Sequence, residues 1–250
     1  MGRVDNKVVI VTGGASGIGE ADCRALIAEG ARVVITDVDE AKGEKLASAL
    51  GSRALFVRQD VRDEAQWDHV ISVCASHHGR LDALVNNAGV VMVGTVEDTS
   101  LEMWRMVNEV DSTGVFLGCK AAIPLMKKSG GGSIVNISSV AALSGFPQYF
   151  AYVAAKGAVR AMTRSIAAHC AKEGYKIRCN TIHPGGIATP MLAGATRDAG
   201  GKTGRAGEPA GSTPIGEPED VANMVVYLVS DESKFVNAAE LVIDGGLLVL

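Results

Sequence analysis

Seven short β-branched runs alternate with longer stretches of helical periodicity, and that alternation leaves few folds open to this chain. Residues 7–12, 32–36, 54–58, 81–86, 133–138, 177–182 and 241–243 read as buried strands. Between them, 17–29, 40–50, 63–78, 101–128, 149–173 and 217–230 read as helices. Strand–helix alternation of this kind gives a parallel sheet covered on both faces. Right-handed crossovers then make an α/β, doubly wound arrangement. The 250 residues are 47% hydrophobic, enough for one large domain with a substantial core, spanning 1–250. No internal repeat or linker divides the chain.

Ligands of open parallel sheets bind at the carboxyl ends of the strands, and unusual residues recur at those ends here. The first strand runs into Thr12-Gly-Gly-Ala-Ser-Gly-Ile-Gly19. Gly13, Ser16, Gly17, Ile18 and Gly19 form a tight turn that lets backbone approach a pyrophosphate at a helix N-terminus. The second strand ends at Asp37, eighteen residues past Gly19. A carboxylate there accepts both ribose hydroxyls of an adenosine and repels a 2′-phosphate. No Arg or Lys lies in the glycine loop or directly after Asp37, which favours NAD over NADP; a solvated turn aspartate is the other reading. Asp60-Val61 follows the third strand, beside adenine or as an ordinary turn. Asn86-Asn87-Ala88-Gly89 follows the fourth, Ser139 the fifth and Pro184-Gly185 the sixth.

Tyr152 and Lys156 stand four apart in a predicted helix, so they share a face. A free phenol, with a pKa of about 10, is a poor base at neutral pH. A cation about 5 Å away at an effective dielectric of about 20 favours phenolate by about 3 kcal/mol. The phenol is therefore expected to move down toward the range useful for proton transfer. Ser139, thirteen residues upstream of Tyr152, could hold the oxygen that gains or loses the proton.

These residues resemble the short-chain dehydrogenase/reductase family over essentially the whole chain. The likeness rests on 12–19, Asn86-Asn-Ala-Gly89, Ser139, Tyr152-x-x-x-Lys156, Pro184-Gly185 and Asp244-Gly-Gly246. It implies a Rossmann-type sheet of seven strands and hydride exchange between a nicotinamide and a carbonyl or secondary alcohol. It implies Tyr152 as acid/base, Lys156 on the nicotinamide ribose and lowering the tyrosine pKa, and Ser139 orienting the substrate oxygen. It also implies Ile187 and Thr189 holding the carboxamide. The family is usually tetrameric, so a homotetramer is expected.

One position departs from the family's pattern. The family's Asn-x-x-Gly-x-Phe reads here Asp111-Ser-Thr-Gly114-Val-Phe116, and Asn108 is one turn out of register. The family uses this residue's main-chain carbonyl to hold a relay water, a role that survives substitution. A carboxylate near Lys156 stabilises the ammonium and opposes a nearby phenolate. Retained but altered activity, with a shifted pH optimum, is the expectation.

The stretch 140–150 after Ser139 and the stretch 187–192 are largely apolar, which favours a small hydrophobic alcohol or ketone as substrate. Residues 174–184 and the opening Met-Gly-Arg-Val are similar to bacterial hydroxysteroid and cyclic-alcohol dehydrogenases. The Gly-rich segment 194–216 reads as an irregular loop, and 188–216 as a substrate lid in which Lys202 and Arg205 could meet an acidic group or stay solvated. His183 faces the pocket or is structural. A small-residue face on the Tyr152 helix, with Ala154, Ala158 and Ala161, and the apolar tail 246–250 suggest subunit contacts.

Net charge is −4 and no basic stripe appears, so nucleic acid is not an expected partner. Five widely spaced cysteines, an odd number without C-x-x-C, argue for reduced thiols in a cytoplasm and against a metal site. No apolar signal core or membrane-length run occurs. The leading reading is an NAD-dependent secondary-alcohol dehydrogenase. The alternatives are an NADPH-dependent ketoacyl-type reductase, against which Asp37 stands, and a non-catalytic dinucleotide-binding sensor.

Overall fold

The computed structural model describes residues 2–200 and 214–249. Its centre is an all-parallel sheet of seven strands in the order β3-β2-β1-β4-β5-β6-β9. These strands are β1 (Val8–Thr12), β2 (Arg32–Asp37), β3 (Ala54–Arg58), β4 (Ala83–Asn86), β5 (Gly132–Ile137), β6 (Ile177–Pro184) and β9 (Glu240–Ile243). The short strands β7 (Gly186–Ile187) and β8 (Ile215–Gly216) pair with each other beside the main sheet. The strand order reverses between β1 and β4, which opens a crevice at their carboxyl ends.

Side chains alternate across a strand, so each central strand feeds two cores. Val8 and Ile10 of β1 face one core with α3 (Glu64–His78), α5 (Gly114–Lys128) and α6 (Phe150–Lys172). Val9 and Val11 face the other with α1 (Gly17–Ala28), α2 (Glu40–Leu50) and α8 (Pro218–Val229). Val9 and Val11 are completely buried, each contributing about 1.5–3 kcal/mol of apolar burial. A half-covered sheet would leave either Val8 and Ile10 or Val9 and Val11 in water, which is why the strand runs are continuous rather than alternating. Among the described residues, no helix is long and apolar enough to cross a membrane.

Two expectations need correction. The helix expected over 101–128 is α4 (Leu101–Asn108), a π turn (Glu109–Thr113) and α5. Periodicity cannot register a single inserted residue, and π turns of this kind mark functional positions. The segment anticipated as irregular from 194 begins inside a helix, α7 (Pro190–Asp198). Thr189 caps it by accepting the Leu192 N–H, and Pro190 occupies the first turn, where its missing N–H costs nothing. Positions 201–213, including Lys202 and Arg205 and most of the anticipated lid, lie outside the described residues. The tail is not uniformly exposed: Leu247 is buried in the chain's own cavity, while Val249 is 88% exposed.

Candidate active site

Thr12 ends β1 and ties two strand ends together. Its Oγ1 accepts the backbone N–H groups of Asn87 and Ala88, both at 3.0 Å. The Asn87 amide donates in return to the carbonyls of Thr12 (2.9 Å) and Gly13 (3.1 Å). Gly13 holds φ +61°, and a Cβ there would stand 2.8 Å from Ala88 Cα. Only glycine lets the loop turn left-handed against the β4 end. Asn86 faces away from the crevice: its amide donates to Asn136 Oδ1 at 2.8 Å, and the Asn136 amide donates to Thr163 Oγ1 at 2.8 Å.

Ser16 stands at the N-cap of α1 but makes no side-chain cap hydrogen bond. The free first-turn N–H groups and the helix dipole suit an anion. Asp37 closes the loop from the β2 side. Its Oδ2 accepts the Ala15 N–H and its Oδ1 the Asp39 N–H, both at 3.0 Å. Each carboxylate oxygen keeps a lone pair for a further donor. Asp60 is clasped by Arg62, whose Nε and Nη2 lie 2.9 Å and 2.6 Å from its two oxygens. Those hydrogen bonds hold the Asp60 carboxyl below the usual carboxylate range. Sequence reasoning passed over Gln59, a residue of the cavity wall that is 1% exposed and whose side-chain amide has no hydrogen-bond partner among the described residues.

Ser139, Tyr152 and Lys156 come together at the ends of β5 and α6. Ser139 and Tyr152 both line the cavity, close enough for the serine to lower the phenol's pKa, and Ser139 Oγ accepts the Ala141 N–H at 3.1 Å. Lys156 Nζ lies 5.5 Å from the centroid of the Tyr152 ring and donates to the Ile137 carbonyl at 3.0 Å. Ser138 Oγ donates to the Lys156 carbonyl at 3.0 Å, fixing helix to strand. His183 is structural: its Nδ1 lies 2.9 Å from the Ser139 carbonyl and its Nε2 2.9 Å from Thr181 Oγ1. Burial keeps its pKa below that of a free imidazole, so the neutral ring braces the Ser139 backbone. Asn108 turns back on its own helix, donating to the Trp104 carbonyl.

Asp111 is delivered by the π turn directly to Lys156. Its Oδ2 lies 3.1 Å from Nζ, in a pair whose side chains are 0% and 3% exposed. The contact is one of charge more than of hydrogen-bond alignment. Oδ1 accepts the Val90 N–H at 2.7 Å. Burial raises the Asp111 carboxyl above its ordinary value, against the opposing pull of Lys156. Desolvation alone would lower the Lys156 ammonium, but Asp111 and Tyr152 together hold it above its ordinary value.

The expected fall in the Tyr152 pKa is not what this arrangement produces. Burial pushes the phenol above the ordinary tyrosine value; Lys156 pulls it down, Asp111 pushes it up again, and the Ser139 hydrogen bond lowers it. The single-cation arithmetic omitted both burial and the anion on the far side of that cation.

One cavity of about 770 Å³ joins these groups, within the usual range of about 300–1,000 Å³ for cofactor and ligand sites. Gly13, Ser16, Gly17, Ile18, Asp37, Asp60 and Val61 line one part of it. Asn87, Ala88, Gly89, Pro184, Gly185, Ile187 and Thr189 also line it, together with Ser139, Tyr152 and Lys156. Gly19 lies behind, where a Cβ would meet the Gly13 carbonyl, and Asp111 sits beneath Lys156. The apolar wall read from the sequence is assembled from Val140, Phe146, Met191 and Leu192, with Leu247 added from the tail.

A family model described as Enoyl-(Acyl carrier protein) reductase matches residues 13–248. The chain belongs to the short-chain dehydrogenase/reductase family. It is 43% identical over 246 residues to a 3-alpha-(or 20-beta)-hydroxysteroid dehydrogenase of Mycobacterium tuberculosis, covering 98% of this chain and 90% of that one. It is 42% identical over 252 residues to a cyclopentanol dehydrogenase of Comamonas sp., covering 98% of each. It is 44% identical over 247 residues to an NADP-dependent (R)-specific alcohol dehydrogenase of Lentilactobacillus kefiri, covering 98% and 97%. This short-chain dehydrogenase is therefore an oxidoreductase of the class that uses a nicotinamide dinucleotide. The uncapped α1 N-terminus at Ser16, the unpartnered Gln59 amide and the cavity's size fit such a group.

Proposed function

We propose that this enzyme moves a hydride between NAD(H) and a hydrophobic secondary alcohol or ketone, a hydroxysteroid or alicyclic alcohol in particular. The carrying observation is that Ser139, Tyr152 and Lys156 open into the same cavity as Asp37, opposite an apolar wall. When bound, the nicotinamide accepts or returns the hydride. Ser139 Oγ orients the substrate oxygen, and the Tyr152 hydroxyl, which lines the same cavity, gives or takes its proton. Lys156 holds the nicotinamide ribose. Ile187 and Thr189 hold the carboxamide, and the glycine loop and Ser16 the pyrophosphate. The apolar wall excludes water from the reacting carbon and suits the steroid and cyclic-alcohol chemistry named for the relatives.

Asp37 supports NAD. Its oxygens are fixed by two backbone N–H groups and face the cavity, so a 2′-phosphate would meet a rigid negative charge. NADP is the second reading, because one relative is named for it. A cytoplasmic homotetramer is part of the proposal: Ala154 and Ala158 of α6 remain partly open and Val249 of the tail is exposed, while the five cysteines are free and buried.

The test is turnover, followed by reduced-nicotinamide absorbance, with NAD and NADP against steroid, alicyclic and aryl alcohols. Activity with NAD on the first two classes, lost by about 100-fold or more in Tyr152→Phe, is expected. NAD binding without turnover of any of them would return the reading to a sensor. Light scattering that finds a monomer at micromolar protein removes the tetramer.

A further inference from the structure

Buried Asp111 and Lys156 and the half-buried Tyr152 form a set with one anion, one cation and one neutral phenol. The Lys156 ammonium is engaged from within the protein, by Asp111 Oδ2 at 3.1 Å and by the Ile137 carbonyl at 3.0 Å. Asp111 is anchored on its other oxygen by the Val90 N–H at 2.7 Å, so the carboxylate cannot swing away without leaving that donor unpaired. Gly89 leaves the room in which the two charges meet.

Among the described residues, the polar groups facing Tyr152 come from four elements. Lys156 is on the same helix, Asp111 on the π turn, and Ser139 beyond β5, with the neutral His183 of β6 behind it. Tyr149, the other phenol in the cavity wall, is itself held protonated by burial. Ionising Tyr152 in this company would make the set net negative. Lys156 alone would favour that step, but its charge is already matched by Asp111.

We infer that Asp111 is a charge-balancing positioning residue that holds Lys156 in place and keeps Tyr152 as the protonated acid in the cofactor-free enzyme. The inference rests on the proposed role of Tyr152. In carbonyl reduction the hydride of the reduced nicotinamide forms the new C–H bond while the Tyr152 O–H bond breaks and its proton goes to the substrate oxygen. The resulting phenolate is reprotonated from solvent. In alcohol oxidation the phenolate must be present first, to take the hydroxyl proton as the hydride leaves for the oxidised nicotinamide. Asp111 thus poises the free site for reduction and moves oxidation to higher pH.

Asp111→Asn has nearly the same volume and keeps an oxygen for the Val90 N–H while removing the charge. The chain has four tyrosines, so the phenolate of Tyr152 is isolated as the ultraviolet difference between each protein and its Tyr152→Phe counterpart. The titration is made on cofactor-free protein, with a thermal melt to establish that each variant is folded. Asp111→Asn is expected to move the Tyr152 ionisation down by about one pH unit or more. The alkaline limb of alcohol oxidation is expected to move with it, and Asp111→Glu to restore the original limb. An ionisation that stays in place or moves up overturns the inference, whatever happens to the melting temperature. Because the titration needs no substrate, it decides the matter even if no turnover is found, and the failure of one reading is separable from failure of the other.

Discussion

Gly89 and Asp111 compete for one small volume. A Cβ on Gly89 would lie 2.9 Å from Asp111 Oδ2 and 3.4 Å from Lys156 Nζ. The last residue of the Asn-Asn-Ala-Gly turn therefore serves the ion pair as much as the turn. Gly89→Ala must displace the carboxylate or the backbone, a strain of about 1–3 kcal/mol. The activity loss should exceed what that destabilisation explains, since a small misplacement of a reacting group costs on the order of 100-fold. Adding Asp111→Ala makes room for the methyl. In a double-mutant cycle Gly89→Ala should then do far less harm. Equal harm in both backgrounds would place the damage elsewhere.

Asp37 makes a separable prediction about the cofactor. Asp37→Asn retains an acceptor for one of the two loop N–H groups but removes the negative charge. Like-charge contact in a binding site costs several kcal/mol. The ratio of kcat/KM with NADP to that with NAD should therefore rise by about 100-fold. The change should come mainly through KM, because Asp37 ends β2, three strands away from β5, after which Ser139 stands. If wild type already prefers NADP, the carboxylate does not discriminate.

A third prediction concerns stability alone. Asn136 is completely buried and links Asn86 to Thr163 through two hydrogen bonds of 2.8 Å. Asn136→Ala leaves the Asn86 amide without that acceptor and opens a cavity, at a combined cost of about 2–4 kcal/mol. Denaturant unfolding with an unchanged slope and a lowered midpoint is the expected reading. An unaltered midpoint would mean that water or neighbouring thiols replace the lost bonds.

The strand ends were legible because each glycine, Asp37 and Ser139 interrupts an apolar run at a place where the fold makes only one edge available. Tyr152 and Lys156 were legible because a helix has a fixed period. The π turn was not legible: the inserted residue at 109–113 leaves composition unchanged and is felt only when Asp111 must reach Lys156. The direction of the Tyr152 shift was missed for a related reason. Spacing located the cation, but burial and the opposing carboxylate are properties of three segments packed together. Gln59 could have been suspected as a polar residue directly following the third strand, although its isolation depends on what packs around it.

Asp22 gives the last prediction, and nothing in its spacing marked it. It lies in α1 with no exposed surface, and among the described residues neither carboxylate oxygen has a partner. Burial raises its pKa well above the ordinary carboxylate value. The unfolded chain ionises this group near the ordinary aspartate value of 3.8, while the folded protein keeps it protonated to higher pH. Between those two points the folded state binds more protons, so its stability falls as pH rises through that window and stays diminished above it. Asp22→Asn removes the penalty without adding a charge. Its melting temperature relative to wild type should therefore climb from acidic to mildly alkaline buffer, with the largest gain at the alkaline end. A gain that is constant across that range would show that Asp22 does not titrate differently in the folded chain.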